Sequence, residues 1–484
     1  MVPSYDKYEL SRAELEVPSL PMHECLNAEV ENDVSVAESF KASLRGKEWT
    51  DVYFNHPVVK SSKNDELVYP LAIYTDGVPF QKRDGVLAFY AYNLTSGVRH
   101  LLLVLRKSQM CKCSCGGWCS LFAAWAWIRW SVLALSLGVF PKTKHIGHPF
   151  NDVEDQTRAS HGGKKMIKGA VVMIKADWME YSSSCGLPYW SNVMHPCFCC
   201  HATRDQMRSL GQFNALTPPF PEKTGFQYEE ACGFCEQWVT LKDKRQHQIV
   251  LGALFYDKRK HGDHGRCLSR DIADLQLLQG DRLEPSALLP NIGDYERLTP
   301  PCRVLFWRRP NQTIATRRCP LFCPEAGLTI ETLTVDPLHT LHLGVYKDFC
   351  QTVLWEMILA DAWSTGASNQ DTLCQVSVQR IRSQLFDWYK MKRRQDPNEL
   401  LYPLGDLKMT MLGTPNKRCL ATKAAETGTL LEFCRDALKS HGLQVLGPLG
   451  KTLLAIGEAL VNCRNIMRVS PRQMPPELFQ GLVD

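Results

Sequence analysis

The 484 residues contain no low-complexity tract and no internal repeat of useful length, which sets repeat architectures aside. The opening MVPSYDKYELSRAELE has neither a cationic start nor an apolar stretch, so no secretory signal begins the chain. Charge is not abundant either. A charged share of 22% beside a hydrophobic share of 44% fits an ordinary globular protein and argues against large-scale disorder. Long hydrophobic runs are nearly absent. The one run long enough to span a bilayer is WCSLFAAWAWIRWSVLALSLGVF, residues 118–140, and Arg129 sits near its centre, where a charge costs about 3 kcal/mol on insertion scales. Trp125, Trp127 and Trp130 lie inside it rather than at its edges, so the stretch reads as a buried helix and no membrane partner is expected.

The length exceeds what one compact core supports and predicts two to four domains. The net charge of +5 conceals an asymmetry. Residues 1–40 carry nine acids against Lys7 and Arg12, a balance of −7, which leaves +12 on the remainder. A basic body suits a polyanion, although solubility alone would explain so small an excess. Cysteine is plentiful, at twenty residues. With no secretion signal the thiols are expected to stay reduced, and C-x₂-C pairs then point to metal rather than to disulfides.

The acidic start, to about residue 50, reads as a poorly ordered arm or an incomplete first domain. LVYPLAIYTDGVPF then reads as a short apolar strand delivering Asp76 at its end. GVLAFYAYNLTSGVRHLLLVLRKS reads as two strands joined by a turn at Thr95, Ser96 and Gly97. The tryptophan-rich helix follows, and Ala170 to Lys175 form a fourth strand with Asp177 just beyond it. Three strands, a helix and a strand make a mixed α/β pattern. Residues 205–330 have weak periodicity and scattered cysteines. Beyond Thr334, VLWEMILA, VQRIRSQLFDWYKMKRR, LATKAAETGTLLEFCRDALKS and LGKTLLAIGEALVNCRNIMRV each show helical spacing.

Two carboxylates at strand ends repel each other unless a cation intervenes, and hard divalent ions take oxygen ligands. A pair of such ions can hold the attacking and leaving oxygens of a phosphodiester. Strand-end aspartates also cap helices and begin turns, so Asp76 and Asp177 alone do not decide the matter. HPCFCCHATRD, residues 195–205, adds the C-x₂-C pair Cys197 and Cys200, and DPLHTLHLGVYKDF adds His339 and His342. Three residues apart on a helix, the two imidazoles would share a face, and two thiolates with two imidazoles make a closed, structural zinc set. The bland alternative is buried cysteines and an ordinary polar face. Cys111, Cys113, Cys115 and Cys119 lie within nine residues and could form another zinc site or only a tight turn. Cys232 and Cys235 have several candidate partners that spacing cannot separate.

Taken together, LAIYTDGVPF, the following hairpin with CKCSCGGWCSL, VVMIKADWMEYSSSCGLPYWSNVMHPCFCC and DPLHTLHLGVYKDF resemble the catalytic core of DNA transposases of the CACTA-like and Plavaka-like groups, over roughly residues 65–440. The resemblance implies a ribonuclease-H-like mixed sheet flanked by helices, with a large cysteine-containing, partly helical insertion, and relatedness to the V(D)J recombinase. It implies Asp76 and Asp177 as the first two acids of a DDE triad and Cys197, Cys200, His339 and His342 as zinc ligands. For the third acid, TKAAETGTLLEF offers Glu426, with Glu356, Asp361 and Glu432 as rivals. The chain departs from the family in having only about 60 residues before the core, acidic in balance and without zinc-finger or helix-turn-helix spacing, which suggests a gene fragment, a domesticated remnant or an imperfect gene model.

The expected protein is therefore a nuclear, metal-dependent polynucleotidyl transferase. It would use two Mg²⁺ or Mn²⁺ ions at Asp76, Asp177 and Glu426, carry structural Zn²⁺, bind DNA and form homo-oligomers. Arg106, Lys107, Lys164, Lys165 and Lys168, with the cluster Lys390, Lys392, Arg393 and Arg394, are candidates for phosphate contacts. The alternative is a catalytically inactive, transposon-derived DNA-binding or regulatory protein. The expected boundaries are an arm to residue 60, a first core segment 65–204, an insertion 205–333, a helical region 334–440 and a C-terminal helical segment 441–484.

Overall fold

Val2–Asp6 (β1) and Ser11–Leu15 (β2) form an antiparallel pair at the start of the chain. The sequence of Val68–Gln81 (β3) begins apolar on both faces, and Leu71 and Ile73 are completely buried, as a strand covered on both sides requires. In the computed structural model β3 is the middle strand of a mixed five-stranded sheet. The structure describes residues 1–6, 11–63, 65–81, 84–111, 117–151, 153–185, 187, 197, 199–200, 202–203, 206, 220, 222–224 and 319–470. They divide into two compact units, 1–335 and 336–484.

In the first unit, β3 pairs antiparallel with Asp84–Asn93 (β4), which pairs antiparallel with Arg99–Arg106 (β5). On its other side β3 pairs in parallel with Lys168–Lys175 (β6), and β6 in parallel with Leu333–Thr334 (β7). The order across the sheet is β5-β4-β3-β6-β7, with only β4 running against the rest. The β4–β5 turn lies where the sequence predicts it, with Gly97 at φ 79°, a left-handed conformation that glycine adopts without steric cost.

β3 does not stop at Asp76. Its parallel pairing with β6 ends at Tyr74, but its antiparallel pairing with β4 continues to Gln81, and Asp76 lies opposite Ala88. The expected strand end is thus the end of one ladder and the middle of another. The hairpin partner keeps the chain extended after the neighbouring strand has turned away.

Trp118–Leu137 (α3) packs on β6 and on Met22–Asn32 (α1). Among the described residues it is the one helix long and apolar enough to cross a membrane, but Trp125, Ile128 and Leu135 are completely buried in the core. Its end is set by Gly138, at φ 67°, whose N–H donates to the Ala134 carbonyl at 2.9 Å. Trp125 meets Phe89 edge to face at 4.8 Å, and its indole N–H donates to the Ser184 carbonyl at 2.7 Å. The acidic N-terminal residues are not an arm. Met22 and Leu26 of α1 and Phe40 of Val34–Arg45 (α2) are fully buried in the same core as the sheet, and the acids lie mostly on the outward faces. The net charge of the segment says nothing about its apolar stripe, which is what folds it.

Tyr181, in the short helix Trp178–Ser184 (α4), ties β6 to β7. Its hydroxyl lies 2.6 Å from the Ile174 carbonyl and 2.8 Å from that of Thr334, and accepts the Ala176 N–H at 3.1 Å. Burial pushes this phenol well above its ordinary pKa. Most of the expected insertion 205–333 lies outside the described residues. At the two ends of the interruption, Cys185 and Cys319 are buried and their thiols are hydrogen-bonded.

The second unit is helical, as expected beyond Thr334. Tyr346–Leu359 (α5), Gln370–Gln395 (α6), Ala424–Ala437 (α7) and Leu443–Val469 (α8) surround a core that includes Trp355, Ile381, Leu430 and Phe433. On α6 the buried Val378, Ile381, Leu385 and Trp388 recur at the spacing of one helix face. α8 is kinked at Gly447 (φ 55°, ψ −125°) immediately before Pro448.

Candidate functional site

Asp76 and Asp177 both lie two residues beyond the last pair, Tyr74 with Lys175, of the parallel β3–β6 ladder. The shared register brings both acids to the same end of the sheet on adjoining strands. Each is half-buried and locally held. The Tyr74 hydroxyl donates to Asp76 Oδ2 at 3.0 Å, and Tyr74 itself stacks on Tyr90 at 5.9 Å. Asp177 caps α4, its Oδ1 accepting the Glu180 N–H at 2.5 Å. An extended backbone at the cap followed by a helical turn is what an aspartate before Trp-Met-Glu favours.

Two charged residues that the sequence reading left unweighed or unplaced converge here. Glu180, one turn after Asp177, is 6% exposed. Its carboxylate accepts from Ser183 and Ser184 and lies 3.9 Å from Lys107 Nζ. Burial raises its pKa, with the nearby Asp177 adding to the rise and Ser184 and Lys107 opposing it. The signal was present: Asp177-x-x-Glu180 is the spacing of a capping box. Only the N–H half of that box forms, because the glutamate side chain turns to the serines instead. Gly77 shows how close the approach is, since a Cβ built there would lie 2.7 Å from Lys107 Nζ and 2.8 Å from Glu180 Oε2.

Glu426, the expected third acid, belongs to the second unit. It is the third residue of α7, and its Oε2 accepts the Lys423 N–H at 2.8 Å, closing the first turn of its own helix. The rivals are also engaged. Glu356 pairs with Arg418 at 2.7 Å, and the Asp361 carboxylate accepts the Thr365 N–H at 2.8 Å. Glu432 is buried against Arg464 and lies 3.0 Å from Lys392 Nζ. Burial acts to raise the Glu432 pKa, but the two cations prevail and hold it below the usual range.

Cys197 and Cys200 lie in the first unit, with Cys199 turned toward them rather than away. The Cys197 sulfur accepts from both neighbouring thiols and from the Cys199 N–H at 3.3 Å, and these donors depress its pKa. Lys223 closes over the group, donating to the Cys197 carbonyl at 2.6 Å. His339 and His342 lie in the second unit, in the π-helical turn Leu338–Val345. A π turn rotates less per residue than an α turn, so the expected common face is not formed. The rings instead find separate partners. His339 Nδ1 is 2.6 Å from Asp336 Oδ2, and His342 Nδ1 is 2.9 Å from the Ala424 carbonyl. An oxygen acceptor at Nδ1 favours a proton on that nitrogen, the tautomer in which a histidine binds metal through Nε2. Individually the donors therefore suit zinc. Among the described residues, no three His, Cys, Asp or Glu side chains meet as a metal-holding group.

Cys111 and Cys119 are buried, the Cys111 N–H donating to Ser120 Oγ at 2.9 Å, while Cys113 and Cys115 lie outside the described residues. Cys232 and Cys235 also lie outside them. Of the basic candidates, Arg106 pairs with Asp84 at 2.5 Å, Lys168 with Glu66 at 3.0 Å and Lys390 with Asp387 at 2.9 Å. Lys164, Lys165, Arg393 and Arg394 are exposed. No family model, curated protein or solved structure matches this chain.

Proposed function

We propose that the chain is a transposase-like, metal-dependent polynucleotidyl transferase that cleaves and joins DNA strands. In this reading the mixed sheet is a ribonuclease-H-like core and the cysteine-containing span is its insertion. The observation that carries the reading is the placement of Asp76 and Asp177 two residues past a shared parallel ladder, at one end of the central strands. Strand order and direction, a three-stranded antiparallel meander followed by two parallel strands on its inner edge, support it too.

Mg²⁺ or Mn²⁺ held by Asp76, Asp177 and Glu426 would supply nucleophile activation and charge stabilisation at the phosphodiester. The chain's own contribution is orientation. Tyr74 fixes one oxygen of Asp76, and the α4 cap fixes one oxygen of Asp177, so both carboxylates are set before any ligand arrives. Zinc held by Cys197, Cys200, His339 and His342 would be structural. The partners are then DNA and further copies of the chain, and the compartment is the nucleus. A second reading, a DNA-binding regulator without turnover, is favoured by one observation: Glu426 already closes its own helix.

The test is nicking of supercoiled DNA in Mg²⁺ or Mn²⁺, with Asp177→Asn rather than Asp177→Ala beside the wild type. Asparagine keeps the cap and removes the charge. Nicking by the wild type that is lost in Asp177→Asn is expected. Equal nicking by both removes the enzyme reading, and DNA binding without nicking by either selects the regulator.

A further inference from the structure

Lys107 follows β5 in a short 3₁₀ turn, and its two neighbours are both fastened to one carboxylate. Arg106 Nε reaches Asp84 Oδ2 at 2.5 Å. The Ser108 hydroxyl donates to the same oxygen at 2.7 Å, and the Ser108 N–H to Oδ1 at 3.0 Å. These contacts hold Asp84 ionised far below its ordinary range, with Ser108 the largest influence. The backbone of Lys107 is thus set.

Its side chain crosses the β3–β4 hairpin past two glycines. A Cβ on Gly77 would collide with Nζ at 2.7 Å, while one on Gly85 would press first on the Val78 carbonyl oxygen at 3.1 Å and lie at ordinary contact distance, 3.5 Å, from Lys107 Cδ. Gly77 has no left-handed backbone to explain it; the crowding does. At the far end, the buried Glu180 carboxylate lies 3.9 Å from the ammonium, while the Lys107 side chain keeps 47% of its exposure. Leaving the ammonium hydrated avoids the cost of burying it, and that water can be exchanged for an anionic oxygen. The ammonium lies against the Gly77 face of β3, Asp76 being the preceding residue, whose side chain leaves the strand on the other face.

We propose that Lys107 is the residue of this site that contacts a DNA phosphate, and that Glu180 is a positioning residue that holds the ammonium one helical turn from Asp177. The inference rests on the nucleic-acid reading above and adds to it the specific cation. Glu180 acts through Lys107, so the two have different signatures.

Duplex DNA binding is measured by fluorescence anisotropy across a salt series without divalent metal, and single-turnover nicking is measured with Mg²⁺. Each is applied to wild type, Lys107→Ala, Lys107→Arg and Glu180→Gln, with thermal melts to confirm folding. Lys107→Ala is expected to weaken binding and to reduce the slope of log K against log salt by about 1, which Lys107→Arg restores. Glu180→Gln removes a negative charge, so it should bind DNA at least as tightly with an unchanged slope, yet nick at least about tenfold more slowly because the ammonium is no longer held. An unchanged slope in Lys107→Ala, with the wild type still binding and nicking, overturns this inference and leaves the functional reading standing. A wild type that neither binds nor nicks overturns both. Should Glu180→Gln fail to fold, the slope of the half-exposed Lys107 variants decides alone.

Discussion

His23 is a residue whose chemistry is set by its surroundings alone. It is 1% exposed, its Nδ1 lies 2.7 Å from Ser131 Oγ, and its ring meets Trp130 edge to face at 4.9 Å. Burial lowers its pKa to about 4; Glu24, 4.0 Å away, pulls it up and Arg158 pushes it further down. The unfolded chain therefore binds more protons than the folded one between about pH 4 and 6.5. The contribution is fully present above pH 6.5 and is lost as the pH falls through 4, by on the order of 3 kcal/mol. Denaturant midpoints at pH 7 and pH 4.5 should fall further apart for wild type than for His23→Gln; equal differences would show that the imidazole is not the titrating group. At the same scale, Asp177→Ala should cost about 1 kcal/mol of stability that Asp177→Asn does not, readable in parallel melts. Residue identity made Asp76 and Asp177 legible as candidates, because acids next to apolar strands stand out. Glu180 was overlooked since its role comes from a rotamer that turns to Ser184, and Gly77 since its purpose is clearance for groups distant in sequence.

Among elements, the α7–α8 pair is clasped by a charge that the helical periodicity does not reveal. Glu432 of α7 and Arg464 of α8 are each under a tenth exposed and bonded to each other, with Lys392 of α6 on the second carboxylate oxygen at 3.0 Å. Lys392 also lies 5.3 Å over the Trp388 ring, so its ammonium already has two partners among the helices. Removing Arg464 leaves the buried Glu432 carboxylate with half of this charge compensation, that of Lys392. Arg464→Ala should cost about 2–3 kcal/mol, below the full cost of an unpaired buried charge because Lys392 remains, whereas Arg464→Met with Glu432→Leu should recover much of that loss. Urea melts of the single and double variants test this, and additive losses would refute the clasp. The elements themselves were largely legible: four strands, the tryptophan helix and the C-terminal helices follow from apolar spacing of two or of three and four. What spacing could not show was the continuation of β3 past Asp76, which β4 imposes, and the π turn at His339 and His342. Both are decided by partners remote in sequence.

For the molecule as a whole, the division at 335–336 predicts independent folding of the C-terminal part. That unit has its own core, with Trp355, Phe433, Leu430 and Ile381 buried, and its four long helices carry apolar faces that meet within it. A fragment of residues 336–470 should be helical by circular dichroism and melt cooperatively with dispersed methyl resonances. A non-cooperative melt would mean that its core is completed from elsewhere. At this scale the sequence suggested two to four domains but misjudged the start, since the acids of residues 1–40 hide the stripe of Met22, Leu26 and Phe40 that enters the first core.

The two thiols at Cys185 and Cys319, with Tyr181 bridging the strands beside them, bring both mouths of the intervening span to a single point. The entropy of closing that span grows only with the logarithm of its length, by about 0.6 kcal/mol for each doubling. The two flanks are thereby tethered directly to each other, and on entropy alone a change in the number of residues between them costs the first unit little.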